Sequence, residues 1–315
     1  MQCRLCGNTT NNTPYQVREM MLGTRDTFNY FQCSACECLQ IATIPTTMDR
    51  YYPNTYYSFS ELGESSSGLL KKIRNKLLEL RDLYAITGKG LLGHMLSVFR
   101  PFSELQALIP YGVTRTTSIL DVGCGTGHYL YKLKQYGFSN LLGVDPYLKE
   151  TIDYPNGLSI KKSELSEIQG SWDVIMLHHS LEHMEEQSKT LEKIASLLTK
   201  DGICLIRIPT VTSEPWEHYR ENWVHLDPPR HFFLHSHKSL RMIAEHAGLS
   251  VISITSDSNA FSFYGSEFYL RDIPATQWTE EAFTPTERKA FAQHAKKINK
   301  SGRGDTIAVI LKKQP

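Results

Sequence analysis

Ser118-Ile-Leu-Asp-Val-Gly-Cys-Gly-Thr-Gly-His128 is the stretch that decides the fold of this chain. Ser118 to Val122 is apolar and β-capable, with the acid Asp121 near its end, which reads as a short buried strand. Gly123, Gly125 and Gly127 follow at once. From His128 to Tyr136 the spacing turns helical, with Leu130 and Leu133 on one face. Strand, glycine turn and helix in succession build a nucleotide-type cofactor site. Glycine lacks the Cβ that would keep a ligand away from the backbone. The helix start offers unpaired N–H groups and a positive dipole end to a carboxylate or phosphate.

The spacing selects among cofactors. A dinucleotide loop reads G-x-G-x-x-G, whereas here a glycine falls one place early and His128 stands where the last glycine would pack. A second acid, Asp145, ends the apolar run Leu141-Leu-Gly-Val144, as expected at the end of the next parallel strand. A carboxylate there accepts hydrogen bonds from ribose hydroxyls. The run Asp-Val-Gly-Cys-Gly-Thr-Gly at 121–127 closely resembles the first motif of class I S-adenosylmethionine (SAM)-dependent methyltransferases. The resemblance implies that Asp121, Gly123, Cys124, Gly125 and Gly127 contact SAM along the loop and that Asp145 holds its ribose.

Outward from this loop, apolar and polar stretches alternate. Strands are expected at 118–122, 140–144, 158–162, 172–177, 203–208, 251–255 and 306–311, with helices at 128–136, 185–198 and 236–247 between them. Asp201-Gly202 reads as a turn. The pattern predicts an α/β fold, a doubly wound, mostly parallel, Rossmann-like sheet. The class I family adds one antiparallel strand at the end, assigned to 306–311. Residues 259–303 interrupt the last strand pair as a partly helical insertion.

The N-terminal part is different. Cys3-x-x-Cys6 and Cys33-x-x-Cys36 pair four thiols in two short turns, the spacing of a structural Zn2+ site in a small ribbon. So small a unit needs metal for stability. Its basic residues are Arg4, Arg18 and Arg25, a thin patch for phosphates. Residues 46–112 then form a tyrosine-rich loop and a helical linker. Tyr51, Tyr52, Tyr56 and Tyr57 serve either domain packing or a lid over substrate, and Glu61 to Gly68 reads as a hinge. In the helix at 69–84, Leu69, Ile73, Leu77, Leu80 and Tyr84 share a face and the lysines point elsewhere. Docking on its own protein is its expected role, with peripheral membrane contact the alternative. The expected domains are therefore 1–45, a zinc ribbon; 46–112, the linker; and 113–315, the SAM-binding domain.

Composition narrows the partners. The chain has 315 residues, 41% of them hydrophobic, and a net charge of +1, which argues against broad capture of nucleic acid. No apolar run reaches membrane-spanning length, so a cytoplasmic protein is expected.

Three segments beyond the strand ends carry candidate chemistry. Glu164 and Leu165, after the third strand, would meet adenine in related methyltransferases, or else cap a helix. His178-His-Ser-Leu-Glu-His183 follows the fourth strand. His178 should face the methyl donor, and His183 or His179 could take a proton, because neutral imidazole does so near pH 7. Capping and packing are the alternative for these histidines. Residues 216–237 are rich in aromatics and prolines. There Trp223, His225 and Arg230 are candidates for the acceptor, together with Tyr57, and His231 is a further candidate base. Residues 118–250 resemble class I enzymes that modify sugars and surface polysaccharides, through Asp121–Gly127, Leu181-Glu-His183 and Trp223-x-x-Leu-Asp-Pro-Pro-Arg-His231. The resemblance implies methyl transfer to a sugar hydroxyl in a small molecule or glycan. Three alternatives stay open: C-methylation of a nucleotide-linked ketosugar, RNA methylation using the ribbon, and a non-catalytic SAM-binding module.

Overall fold

The computed structural model describes residues 1–52, 69–99 and 103–314. Among these the chain forms, in order, β1 (Thr13–Arg18), β2 (Thr27–Gln32), β3 (Leu39–Ile41), α1 (Leu69–Thr87), α2 (Leu91–Phe99), α3 (Ser103–Gln106), β4 (Ile119–Val122), α4 (His128–Gln135), β5 (Leu141–Val144), β6 (Ile152–Asp153), β7 (Ser159–Lys161), β8 (Trp172–His178), α5 (Gln187–Leu197), β9 (Leu198–Pro209), α6 (Glu214–Tyr219), β10 (Phe233–Leu234), α7 (His237–His246), β11 (Leu249–Ser256), α8 (Phe261–Leu270), α9 (Pro285–Lys300) and β12 (Thr306–Lys313). The larger sheet has the order β11-β12-β9-β8-β4-β5-β7-β6, and β1-β2-β3-β10 form a smaller one. This is the doubly wound α/β architecture expected from the sequence. β9 spans Asp201-Gly202, and the chain folds back there as its turn propensity predicts: a Cβ at Gly202 would lie 3.0 Å from the Thr199 backbone nitrogen.

The chain divides into two compact units. One comprises residues 1–53, 179–192 and 207–308; the other comprises 54–178, 193–206 and 309–315. The observed division cuts across the expected borders at 45 and 112, since residues 1–53 share a unit with much later segments.

In the second unit β4 pairs in parallel with β5 on one side and β8 on the other, and β5 pairs in parallel with β7. All four residues of β4 are buried, as its apolar sequence requires. The two-residue β6 closes this edge antiparallel to β7. Leu130 and Leu133 of α4 are buried, as their spacing predicts. The expected face of α1 needs correction: Ile73 and Leu77 are exposed, and among the described side chains the buried ones are Asp82, Ala85 and Ile86, in its C-terminal half. The 19-residue α1 packs on the 9-residue α2, which is long enough to cover only part of it.

In the first unit β1, β2 and β3 pair antiparallel, and β10 adds to β3. One apolar cluster joins Cys3, Cys33, Tyr30 and Phe31 to Trp216, Trp223, Phe233, Ala295 and Ile298. The segment 259–303 is helical through α8 and α9, and Phe263, Ala295 and Ile298 complete that cluster.

Candidate active site

The cofactor loop lies in the second unit. Gly123, Gly125 and Gly127 all have positive φ (70°, 54° and 79°), which L side chains rarely adopt. At Gly127 a Cβ would also run into the Ile160 side chain. The Gly123 N–H donates to the Val144 carbonyl at 2.8 Å, and the Gly125 N–H to Asp145 Oδ2 at 2.9 Å. Asp145 Oδ1 accepts the Tyr147 N–H at 2.9 Å. Asp145 thus braces the loop from the end of β5. Asp121 is 2% exposed and its Oδ1 has no hydrogen-bond partner. Burial, with Asp145 adding to it, pushes the Asp121 carboxyl up to about 8. A buried polar atom of this kind beside a left-handed glycine turn suits a cofactor with hydrogen-bonding groups of its own.

Cys124 is half-buried, its thiol pushed up by burial, Asp121 and Asp145. Glu164 is exposed; its N–H donates to Glu167 Oε2 at 3.1 Å in a helical turn, and Leu165 is half-buried there. The ring of His178, the last residue of β8, lies 4.6 Å from that of Tyr129.

The first unit holds a histidine cluster. His179 has φ 51°, a conformation that a non-glycine residue occupies only under constraint from its surroundings. Its Nε2 lies 2.9 Å from Arg207 Nη1 and its Nδ1 3.3 Å from Glu182 Oε1. A guanidinium only donates, so Nε2 accepts and Nδ1 carries the proton toward Glu182. Arg207 is itself ion-paired with Asp257. Glu182 has no exposed surface. Burial opposes its ionisation, but His179, His183 and His231 outweigh that and hold the carboxyl at about 2. The His183 and His231 rings pack edge to face, 4.8 Å apart. His183 Nδ1 donates to the Arg230 carbonyl at 2.8 Å, and His231 Nδ1 to the His225 carbonyl at 2.7 Å. In each ring Nε2 is thus the nitrogen that gains or loses a proton, and His231 Nε2 lies 3.8 Å from Asp227 Oδ2. Burial, then His183, depresses His231 to about 4.

The four cysteine sulfurs lie within 4.8 Å of one another. The two turns repeat one geometry. Gly7 N–H donates to the Cys3 carbonyl and Glu37 N–H to the Cys33 carbonyl, both at 2.9 Å, and Gly7 and Glu37 both have positive φ. Gln40 Nε2 donates to Cys3 Sγ at 3.1 Å, a contact that favours thiolate. Four converging sulfurs suit a tetrahedral thiophilic metal.

Residues 69–254, more than half of the chain, match a family model described as a methyltransferase domain. The chain belongs to this family. The methyltransferase domain is of the SAM-dependent, class I, Rossmann-like kind. Among curated relatives, the tRNA U34 carboxymethyltransferase of Campylobacter jejuni subsp. doylei is 22% identical over 167 residues, covering 50% of this chain and 57% of that protein. The trans-aconitate 2-methyltransferase of Deinococcus radiodurans is 25% identical over 114 residues, 35% of this chain and 43% of that protein. The chain thus spans about half the length of the curated relatives it matches. Among solved structures, the cyclopropane synthase of Mycobacterium tuberculosis aligns over 82% of this chain and 90% of its own, at 13% identity and a TM-score of 0.43.

The expected acceptor residues of the methyltransferase domain fare differently from the cofactor loop. Trp223 and Arg230 are both 0% exposed, which corrects their assignment to substrate. Trp223 Nε1 donates to Asp305 Oδ2 at 2.7 Å. Arg230 is ion-paired with Asp227 and donates to the Tyr51 carbonyl at 3.0 Å. A guanidinium and an indole with no exposed surface, both paired internally, offer nothing to a ligand. His225 is largely buried, its Nε2 3.8 Å from Asp305 Oδ2. Tyr57 lies outside the described residues. Tyr52, one of the clustered tyrosines, has its Oη 3.3 Å from His183 Nδ1, whereas sequence reasoning missed Arg207 and Asp257. Only Arg207 left a signal: an arginine inside the apolar run Ile203 to Ile208 has to be paired.

Proposed function

We propose that the protein transfers a methyl group from SAM to a hydroxyl oxygen of a small hydroxylated acceptor, of the nucleotide-sugar or glycan-precursor type. The carrying observation is the pair of imidazoles, His183 and His231, whose Nδ1 protons are tied to carbonyls, which leaves Nε2 as the nitrogen that can take a proton. Bound at the glycine loop, SAM supplies an electrophilic methyl group. In this reading Gly123 to Gly127 give it backbone, Asp145 holds its ribose, and Glu164 and Leu165 border the adenine. The acceptor hydroxyl loses its proton to an imidazole Nε2 as its oxygen attacks. His183 fits this better than His231, because it is half-buried and reachable, whereas His231 is buried and depressed to about 4. His179 has both ring nitrogens engaged and serves to position Glu182. The cysteine cluster binds structural zinc.

One observation favours a small acceptor over RNA. The ribbon arginines are engaged by the protein itself: Arg18 and Arg25 pair with Asp272, and Arg4 donates to the Ile41 carbonyl. The test is incubation with methyl-labelled SAM and a panel of nucleotide sugars, glycans and tRNA. Labelled sugar is expected, with His183→Ala lowering turnover by about a hundredfold while SAM affinity stays near wild type. Labelled tRNA alone, or full turnover in His183→Ala and His231→Ala alike, contradicts the reading. Product fragmentation separates O- from C-methylation.

A further inference from the structure

Glu182, His183 and His231 each offer one ligand atom, and those atoms lie within 4.8 Å of one another. This group is separate from the cysteine cluster and serves no structural purpose described so far. Its hydrogen bonding is lopsided. His183 and His231 spend their Nδ1 protons on the carbonyls of Arg230 and His225. Glu182 Oε1 receives His179, but Oε2 is buried with no hydrogen-bond partner. The group therefore gathers two imidazole rings and an unsatisfied carboxylate oxygen, and Asp227 Oδ2 adds a second carboxylate 3.8 Å from His231 Nε2. Acceptors buried together in this way repel one another, and a positive charge relieves them.

The surroundings are those of a metal centre. A ligating imidazole almost always donates its other N–H to a carbonyl or carboxylate, which fixes the ring and its tautomer; both rings do so here. The carboxylate ligand is usually held from behind, and Glu182 is held by His179, itself fixed by Arg207 and Asp257. Glu182 and His183 occupy one helical turn, Leu181–His183, after β8. His231 comes from a separate segment that is pinned by the Tyr30 hydroxyl, which donates to its carbonyl at 2.8 Å. Two histidines and one carboxylate suit zinc, manganese, iron(II) or cobalt, and three protein ligands leave coordination positions open.

We propose that Glu182, His183 and His231 form a three-ligand site for a divalent transition-metal cation, with its open positions available to an acceptor oxygen. The binding itself stands apart from the proposed function; only the acceptor clause rests on that reading. A cation here would take up the ring nitrogens, so in the metal-loaded protein a coordinated hydroxyl would release its proton to solvent, and His183 would act as the base only in the metal-free protein.

The test uses the full chain without SAM or acceptor, so it fails or succeeds independently of methyl transfer. Metal-stripped protein is titrated with Co2+ and followed by absorption. The cysteine site gives sulfur-to-cobalt charge-transfer bands, and a nitrogen–oxygen site gives only weak d–d bands. Two equivalents are expected, the second without charge transfer. In Glu182→Gln and His231→Asn the second should bind about tenfold more weakly or not at all, while the cysteine spectrum, which reports an intact fold, is unchanged. A single equivalent in the wild-type protein overturns the proposal, whether or not a variant folds. So does a second equivalent that binds both folded variants as tightly as wild type.

Discussion

Asp121 and Asp145 are the residues at which the cofactor loop holds unfavourable charge. The Asp121 carboxyl is buried, raised to about 8, with Asp145 contributing. In the unfolded chain the same group ionises near its ordinary 3.8. Between those values the folded protein holds a proton that the unfolded chain has released. Stability is therefore lost as pH rises from about 4 to about 8, by at most about 1.4 kcal/mol per pH unit. Asparagine keeps the shape and cannot ionise. Asp121→Asn is expected to be more stable than wild type, by a margin that grows from about pH 4 to about pH 8 and then levels. Urea denaturation of both proteins across that range checks it, and a margin independent of pH contradicts it. The acid at 121 was legible from the sequence, since it stands inside an apolar strand. Its raised pKa was not, because that depends on Asp145, which reaches it only across the pairing of β4 with β5.

At the scale of elements, local patterning predicted most of what the larger sheet contains. Each β-capable run flanked by turn residues became a strand, and the glycine loop follows β4 as expected. Gly127 shows why that loop tolerates little change. It is left-handed at φ 79°, and its missing side chain leaves room for Ile160 of β7. Gly127→Ala should lose about 1–3 kcal/mol of stability and weaken SAM binding by about tenfold or more. Trimming the neighbour in Gly127→Ala/Ile160→Ala should recover the packing part alone, because the φ strain stays. Calorimetry of SAM binding on both variants separates the two contributions. A double variant with wild-type affinity would show that sterics act alone. The aromatic segment 216–237 was misread at this scale. Its composition suggested a substrate platform, yet Trp216 and Trp223 are 1% and 0% exposed. Aromatic residues in an irregular segment fit either role, and only the tertiary partner decides which.

At the scale of the whole chain, the first unit is woven from three separated stretches, 1–53, 179–192 and 207–308. No local pattern predicts this, since Tyr30 and Phe31 share a cluster with Trp216, Trp223 and Ile298, far along the chain. The cysteine turns sit at its centre: Cys3 and Cys33 share one cluster with Trp216, Trp223 and Ile298, and Ser236 Oγ donates to the Cys36 carbonyl at 2.7 Å. A ribbon standing alone could lose its metal without disturbing residues far along the chain. In this arrangement it cannot. If the four cysteines hold the proposed zinc, Cys33→Ser should cost the metal and, with it, the packing of the entire unit. The expected result is a red-shifted tryptophan emission as Trp216 and Trp223 meet water, and protease cleavage within 207–308. SAM binding should persist, because the glycine loop and Asp145 belong to the second unit. Unchanged emission with cleavage confined to residues 1–45 would instead show an independent ribbon. Loss of SAM binding together with the emission shift would show that the two units unfold as one.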